Sequence, residues 1–130
     1  MATLRATVRI DRPADAVWAV VSDAAGITAW FPGFASARVS GGVRTLELGP
    51  DLEIVEDVVT SDDALRRFQY AITAAPFPVE HHLGTVDVLD IDGGALVVYS
   101  TEITPDTLGA VLGPSIEAGV AGLKEYCERG

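Results

Sequence analysis

Three side chains stand out for the chemistry they carry: Arg44 in "VRTLELG", Glu56 in "LEIVEDVV" and His82 in "EHHLGTVDV". Each lies in a run whose apolar residues recur at every second position, the period of a half-buried strand. A polar residue in phase with those apolar ones faces the core. Arg44 shares its face with Leu46 and Leu48, Glu56 lies among Leu52, Ile54 and Val58, and His82 is in phase with Gly84, Val86 and Val88. His81, Thr85 and Asp87 then point outward. By the same parity Phe68, Tyr70 and Ile72 face inward from "RFQYAIT", and Val97, Tyr99, Thr101 and Ile103 from "ALVVYSTEI". A guanidinium, a carboxylate, an imidazole and one or two phenols are thereby expected on one concave surface, since the parity of the last strand is less clear than that of the others.

A carboxylate in an apolar pocket is a general base with a raised pKa, an imidazole donates or relays a proton, and a guanidinium stabilises a developing oxyanion. A direct pair between Arg44 and Glu56 would work against this by lowering the carboxylate's pKa. Two blander readings stand beside the catalytic one. His82 serves equally well as a half-buried structural residue bonded to a backbone carbonyl, and Arg44 or Glu56 reaches solvent if it lies near a strand end or bulge. No metal site is expected, because adjacent histidines diverge on a strand and no cluster with ligand spacing accompanies them. "GGV" and "DGG" read as hairpin turns, lacking the following helix and lysine of a phosphate loop, and no nucleophile elbow is present. No cofactor is expected.

The elements that must position these groups follow from pattern and punctuation. "TLRATVRI" alternates as a first strand. Pro13 and Asp15 suit a helix start, and Val17, Trp18, Val20 and Val21 supply its apolar stripe. Gly26 and Pro32 bracket a second short helical segment, "GITAWF". Turn signals at 40–42, 49–51, 61–63, 76–78 and 92–94 then separate six strand-like runs, an antiparallel meander. Thr104 is the expected cap, and Pro105 the first-turn residue, of a long terminal helix carrying Leu108, Val111, Leu112, Ile116, Val120, Leu123 and Cys127 on one face. Pro114 is expected to kink it. Gly109, Gly113, Gly119 and Gly122 either leave space beside the sheet or allow close approach. The fold class is therefore α+β: a seven-stranded antiparallel sheet curved around a C-terminal helix, preferred over a cone-shaped fold that opens with helices.

The 130 residues, 48% hydrophobic and 22% charged, suit a single globular domain over 1–130. A net charge of −10 argues against nucleic acid and against an anionic membrane surface. Cys127 is the lone cysteine, so no intrachain disulfide or thiolate cluster forms. The N-terminus lacks the pattern of a signal peptide and no apolar run is long enough to span a bilayer, which points to a cytoplasmic protein without membrane insertion.

Three stretches, "VRIDRPADAVWAVVSDAAGITAWFPGF", "IVEDVVTSDDALRRFQYAI" and "GLKEYCE", together resemble the START-like (SRPBCC) superfamily, and within it the polyketide cyclase/dehydrase and lipid-transport group. The resemblance implies a helix-grip fold with a hydrophobic cavity between sheet and helix. It implies a small hydrophobic or polyketide-like ligand there, with proton-transfer cyclisation, dehydration or isomerisation as the catalytic version and a lipid or small-molecule carrier or sensor as the alternative. A pocket glutamate of related proteins matches Glu56, an arginine after a Gly-rich turn matches Arg44, and a pocket tyrosine falls on His82. The shorter "LGPD" in place of the gate loop of plant hormone receptors disfavours a receptor role of that type. Leu46, Ile54, Val58, Phe68, Tyr70, Val86, Tyr99, Leu112 and Ile116 are the expected ligand-binding residues.

Overall fold

Period-two alternation produces seven antiparallel strands in a computed structural model that describes residues 1–129. They are β1 (Ala2–Ile10), β2 (Ser36–Ser40), β3 (Val43–Gly49), β4 (Leu52–Asp62), β5 (Arg67–Ala74), β6 (His81–Ile91) and β7 (Gly94–Thr104). Their order across one sheet is β1-β7-β6-β5-β4-β3-β2, so β2 to β7 form a meander and β1 closes onto β7. The curved sheet grips the terminal helix α2 (Gly109–Arg129), which lies against β1 and β7. The helix-grip architecture expected from the sequence is the one observed.

The first helix, α1 (Ala14–Val21), follows Pro13 and buries Ala14, Val17, Trp18 and Val21, a stripe with helical spacing. It packs on β6 and β7, and the Trp18 indole donates a 2.9 Å hydrogen bond to Asp63 in the β4–β5 turn. The second segment forms a 3₁₀ helix over Ala24–Ala29 rather than a helix over 26–31. Its end is closed by bonds from the Trp30 and Phe31 amides to the Ile27 carbonyl, at 3.1 and 2.9 Å. This hands Trp30 and Phe31 to the core.

Two expectations at the helix start change. Thr104 does not cap α2: pairing with His81 keeps it in β7. A short 3₁₀ turn, Asp106–Leu108, intervenes, and Pro105 precedes it without any side-chain cap. Pro114 sits inside α2, which continues through it.

The inward parity holds along β3, β5 and β7, where Arg44, Leu46, Phe68, Tyr70, Val97, Tyr99, Thr101 and Ile103 are all buried. In β4 two register shifts, at Val55/Glu56 and Val58/Thr60, interrupt the alternation, which explains its apolar residues on both faces. Leu52, at the strand's first position, is exposed rather than inward. Thr85 points away from the core as expected but is covered. Its hydroxyl accepts from Gln69 at 3.0 Å, and Gln69 is itself bonded to Thr60 at 2.9 Å across the convex face.

The glycines of α2 divide by position. A Cβ at Gly122 would stand 2.1 Å from the Trp30 carbonyl oxygen, and one at Gly119 would stand 2.6 Å from the Phe31 ring. Close approach is therefore their role. Gly113, six residues before Gly119, has nothing within 4 Å of where its Cβ would be.

Candidate ligand cavity and its polar residues

Arg44 and Glu56 face each other directly across β3 and β4. The Arg44 Nε donates to Glu56 Oε1 at 2.8 Å, and a second guanidinium nitrogen donates to the Ala24 carbonyl at 3.2 Å. The guanidinium also packs on the rings of Phe68 and Tyr70, 5.3 and 5.2 Å from their centroids. With Arg44 only 2% exposed and Glu56 4%, neither charge reaches bulk water, so each depends on the other. Burial nevertheless raises the Glu56 pKa above the ordinary carboxylate value, outweighing the opposing pull of Arg44 through charge and hydrogen bond. Glu56 is thus an ion-paired carboxylate that is more basic than a solvated one.

His82 is held in an unexpected way. Its Nδ1 accepts a 3.1 Å hydrogen bond from the Ile72 amide, where a structural histidine was expected to bond a carbonyl. An imidazole nitrogen that accepts cannot carry a proton, so the ring is neutral with its proton on Nε2. Burial first, and the neighbouring His81 second, lower the His82 pKa to about 4. The cause of this bond lies in the sheet. The β5–β6 ladder runs only from Arg67↔Asp87 to Tyr70↔Gly84, and where Ile72 would next pair, the imidazole takes the amide instead. His81 is exposed on the other face.

Two phenols complete the polar set. The Tyr70 and Tyr99 hydroxyls hydrogen-bond each other, and burial raises both pKa values above the usual phenol range. The Tyr70 ring lies across Gly84, where a Cβ would come within 2.5 Å of it, and it stacks obliquely on His82 with centroids 5.3 Å apart. Glycine at 84 is therefore what allows a ring to lie flat against the sheet.

A cavity of about 260 Å³ opens between these residues and the N-terminal half of α2. Of the expected site residues, Ile54, Glu56, Tyr70 and His82 line it from the sheet, and Leu112 and Ile116 from α2. Arg44 does not: it stands behind Glu56, so it positions that carboxylate rather than facing a ligand. Leu46, Phe68, Val86 and Tyr99 also lie off the wall, packed into the core, and Val58 is half-buried beside it. Besides Tyr70, aromatic lining comes from Phe31, Phe34 and Phe77, all in connecting segments. Alternation could not find them, since loops have no period; the flanking of "PG" by Phe31 and Phe34 is the only signal. Thr101, read as inward but assigned no role, lines the cavity as well, and its Oγ1 is buried without a partner.

Among the described residues no three His, Cys, Asp or Glu side chains converge as metal ligands, and no helix is long and apolar enough to cross a membrane. The sequence profile of the family described as polyketide cyclase / dehydrase and lipid transport matches residues 1–129. The chain belongs to that family. Its structure resembles that of a protein from Thermobifida fusca at 31% identity, covering 99% of this chain and 95% of the other, with a TM-score of 0.86. It also resembles the protein XoxI from Bacillus cereus at 25% identity, with coverage of 96% and 94% and a TM-score of 0.88. The Zhui aromatase/cyclase from Streptomyces sp. R1128 shares the fold at 23% identity, with coverage of 98% and 94% and a TM-score of 0.79. No curated protein matches the chain. Membership in the family supports a ligand-binding or cyclase role for the chain.

Proposed function

We propose that this family member binds a compact hydrophobic or polyketide-like molecule between sheet and α2, and that Glu56 and His82 move a proton on it. The observation that carries this reading is a mostly apolar cavity into which a carboxylate of raised pKa and a neutral imidazole both project. Its volume, about 260 Å³, lies just below the roughly 300–1,000 Å³ of small-molecule sites. A short or one- to two-ring ligand suits it better than a long lipid chain.

In the catalytic step Glu56 takes a proton from a carbon adjacent to a carbonyl, the neutral His82 donates a hydrogen bond from Nε2 to the carbonyl oxygen as it gains charge, and the protonated Glu56 returns its proton to the rearranged product. Arg44 keeps Glu56 ionised and aimed while taking no direct part. This replaces the oxyanion role expected for Arg44, because the guanidinium is spent on Glu56 and the Ala24 carbonyl.

The second reading is a carrier or sensor without chemistry. It is favoured by the same ion pair, since a carboxylate already neutralised by Arg44 is a weaker base than a free buried one.

The test begins with native mass spectrometry of the purified protein, expected to release a small apolar molecule. With that molecule, or a simple hydroxyaryl ketone, as substrate, Glu56→Gln and His82→Ala are then compared. Proton transfer predicts a loss of turnover of about 10²–10⁴-fold with affinity held within about tenfold. Equal loss of binding and turnover supports the carrier. Circular dichroism of each variant checks that the fold survives.

A further inference from the structure

The cavity wall carries polar groups but no free cation. The residues lining it include no lysine or arginine; Arg44 is turned away and tied to Glu56, and His82 is neutral through its bond from Ile72. The charge that does reach the wall is negative, on Glu56. A ligand carboxylate would have to leave water and meet another carboxylate, with no counter-ion to offset either cost.

Thr101 supplies the opposite preference. It is 1% exposed, its hydroxyl has no hydrogen-bond partner, and it lies in the wall on β7, opposite Gly84 on the neighbouring strand β6 that carries His82, with Glu56 farther across the sheet on β4. An orphaned buried hydroxyl costs stability unless something bonds it. Threonine's χ1 settles among staggered rotamers that exchange methyl and hydroxyl, so a change of one rotamer, about 120°, redirects the oxygen. The neutral His82 ring adds an N–H donor at Nε2, and Glu56 keeps Oε2 free as an acceptor.

We infer that the cavity selects by charge: it takes a compact apolar molecule bearing a neutral hydroxyl or carbonyl, hydrogen-bonded by Thr101 and His82, and rejects the matching carboxylate. Thr101 is the specificity-determining residue. This rests on the reading of the cavity as a ligand site and names what that ligand must carry.

Three probes of one skeleton test it: 1-methylnaphthalene, 1-naphthol and 1-naphthoate, titrated by calorimetry at neutral pH. 1-Naphthol is expected to bind at least tenfold more tightly than 1-naphthoate. In Thr101→Val, which is nearly isosteric, naphthol affinity should fall by about five- to tenfold while that of methylnaphthalene stays within about twofold. Thr101→Ser keeps the hydroxyl and should retain the naphthol preference. Thermal melting should show Thr101→Val at least as stable as the parent, since it removes an orphaned polar group. Naphthoate binding as tightly as naphthol overturns the inference, as does an equal loss of both neutral probes in Thr101→Val. If methylnaphthalene binds and the head group makes no difference, only the charge selection fails. If no probe binds, including the hydrocarbon, the ligand-site reading fails and this inference with it.

Discussion

The two halves of α2 meet the rest of the molecule in opposite ways. The C-terminal half is drawn in until backbone touches backbone: Gly122 sits beneath the Trp30 carbonyl and Gly119 beneath the Phe31 ring. Side chains then fasten it. Lys124 Nζ donates to the Arg9 carbonyl at 2.7 Å, Arg12 donates to the Cys127 carbonyl at 2.9 Å, and the Asp11 amide donates to Glu128 at 2.8 Å. The N-terminal half carries Gly113 and Pro114, both weak in a helix interior, and lines the cavity with Val111, Leu112, Ser115 and Ile116. Glycine thus does two different things in one helix. Where a partner waits it removes a collision; at Gly113 it leaves room. The helix is thus held at both ends, by Gly109 against Ala2 and by Gly119 and Gly122 against Phe31 and Trp30, and the cavity lies beside the stretch from Val111 to Ile116 between them.

Arg44 ties the cavity wall to the clamp, since it binds Glu56, which faces the N-terminal half of α2 across the cavity, and also the Ala24 carbonyl of the 3₁₀ helix that hands Trp30 and Phe31 to the C-terminal half. Breaking that link should produce the largest effect. Arg44→Ala leaves Glu56 buried and unpaired, at a cost of about 3–5 kcal/mol, read as a large fall in the denaturant midpoint. A loss below about 1 kcal/mol would mean that water already reaches the pair.

The contrast between glycines can be tested within the helix itself. Gly122→Ala should destabilise by about 1–3 kcal/mol through overpacking against Trp30. Gly113→Ala should do the reverse, stabilising by about 0.5–1 kcal/mol because helix propensity improves and nothing is struck. Thermal unfolding of the two variants decides it, and a shift of the same sign in both would erase the distinction drawn here.

The subtlest effect concerns pH in the open half. Folded His82 titrates at about 4 against an ordinary 6.5, so the unfolded chain takes up this proton first as pH falls. The stability it contributes is complete above about pH 6.5 and is lost progressively down to about pH 4. Glu56 acts in the other direction: its pKa is raised on folding, so its share is present below the ordinary carboxylate value and declines as pH rises through the folded one. His82→Gln should therefore flatten the fall in Tm between neutral pH and about pH 4.5. An unchanged slope would place the acid sensitivity elsewhere.

Much of this was legible in residue order. Alternation located seven strands and identified Arg44, Glu56, Tyr70, His82, Tyr99 and Thr101 as inward, because a buried face imposes period two whatever the side chain's charge. Desolvation required a buried Arg44 and Glu56 either to pair or to sit at a hydrated cavity, and did not choose between the two. Alternation could not show that pairing turns Arg44 away from the cavity, since that depends on which strands are neighbours and in what register. Nor could it supply Phe31, Phe34 and Phe77, or decide between the two roles of glycine, because both need the third dimension. The direction of the His82 bond was likewise invisible: it arises where a ladder between two strands stops.

That stop has a use for the experimenter. The Ile72 amide is shielded by a ring rather than by the carbonyl of a neighbouring strand. Its exchange with deuterium therefore follows one side chain, accelerating when the imidazole gains a proton or swings toward a bound molecule and slowing when it returns. A single backbone hydrogen thus serves as a built-in gauge of the pocket's occupancy, readable without knowing what occupies it.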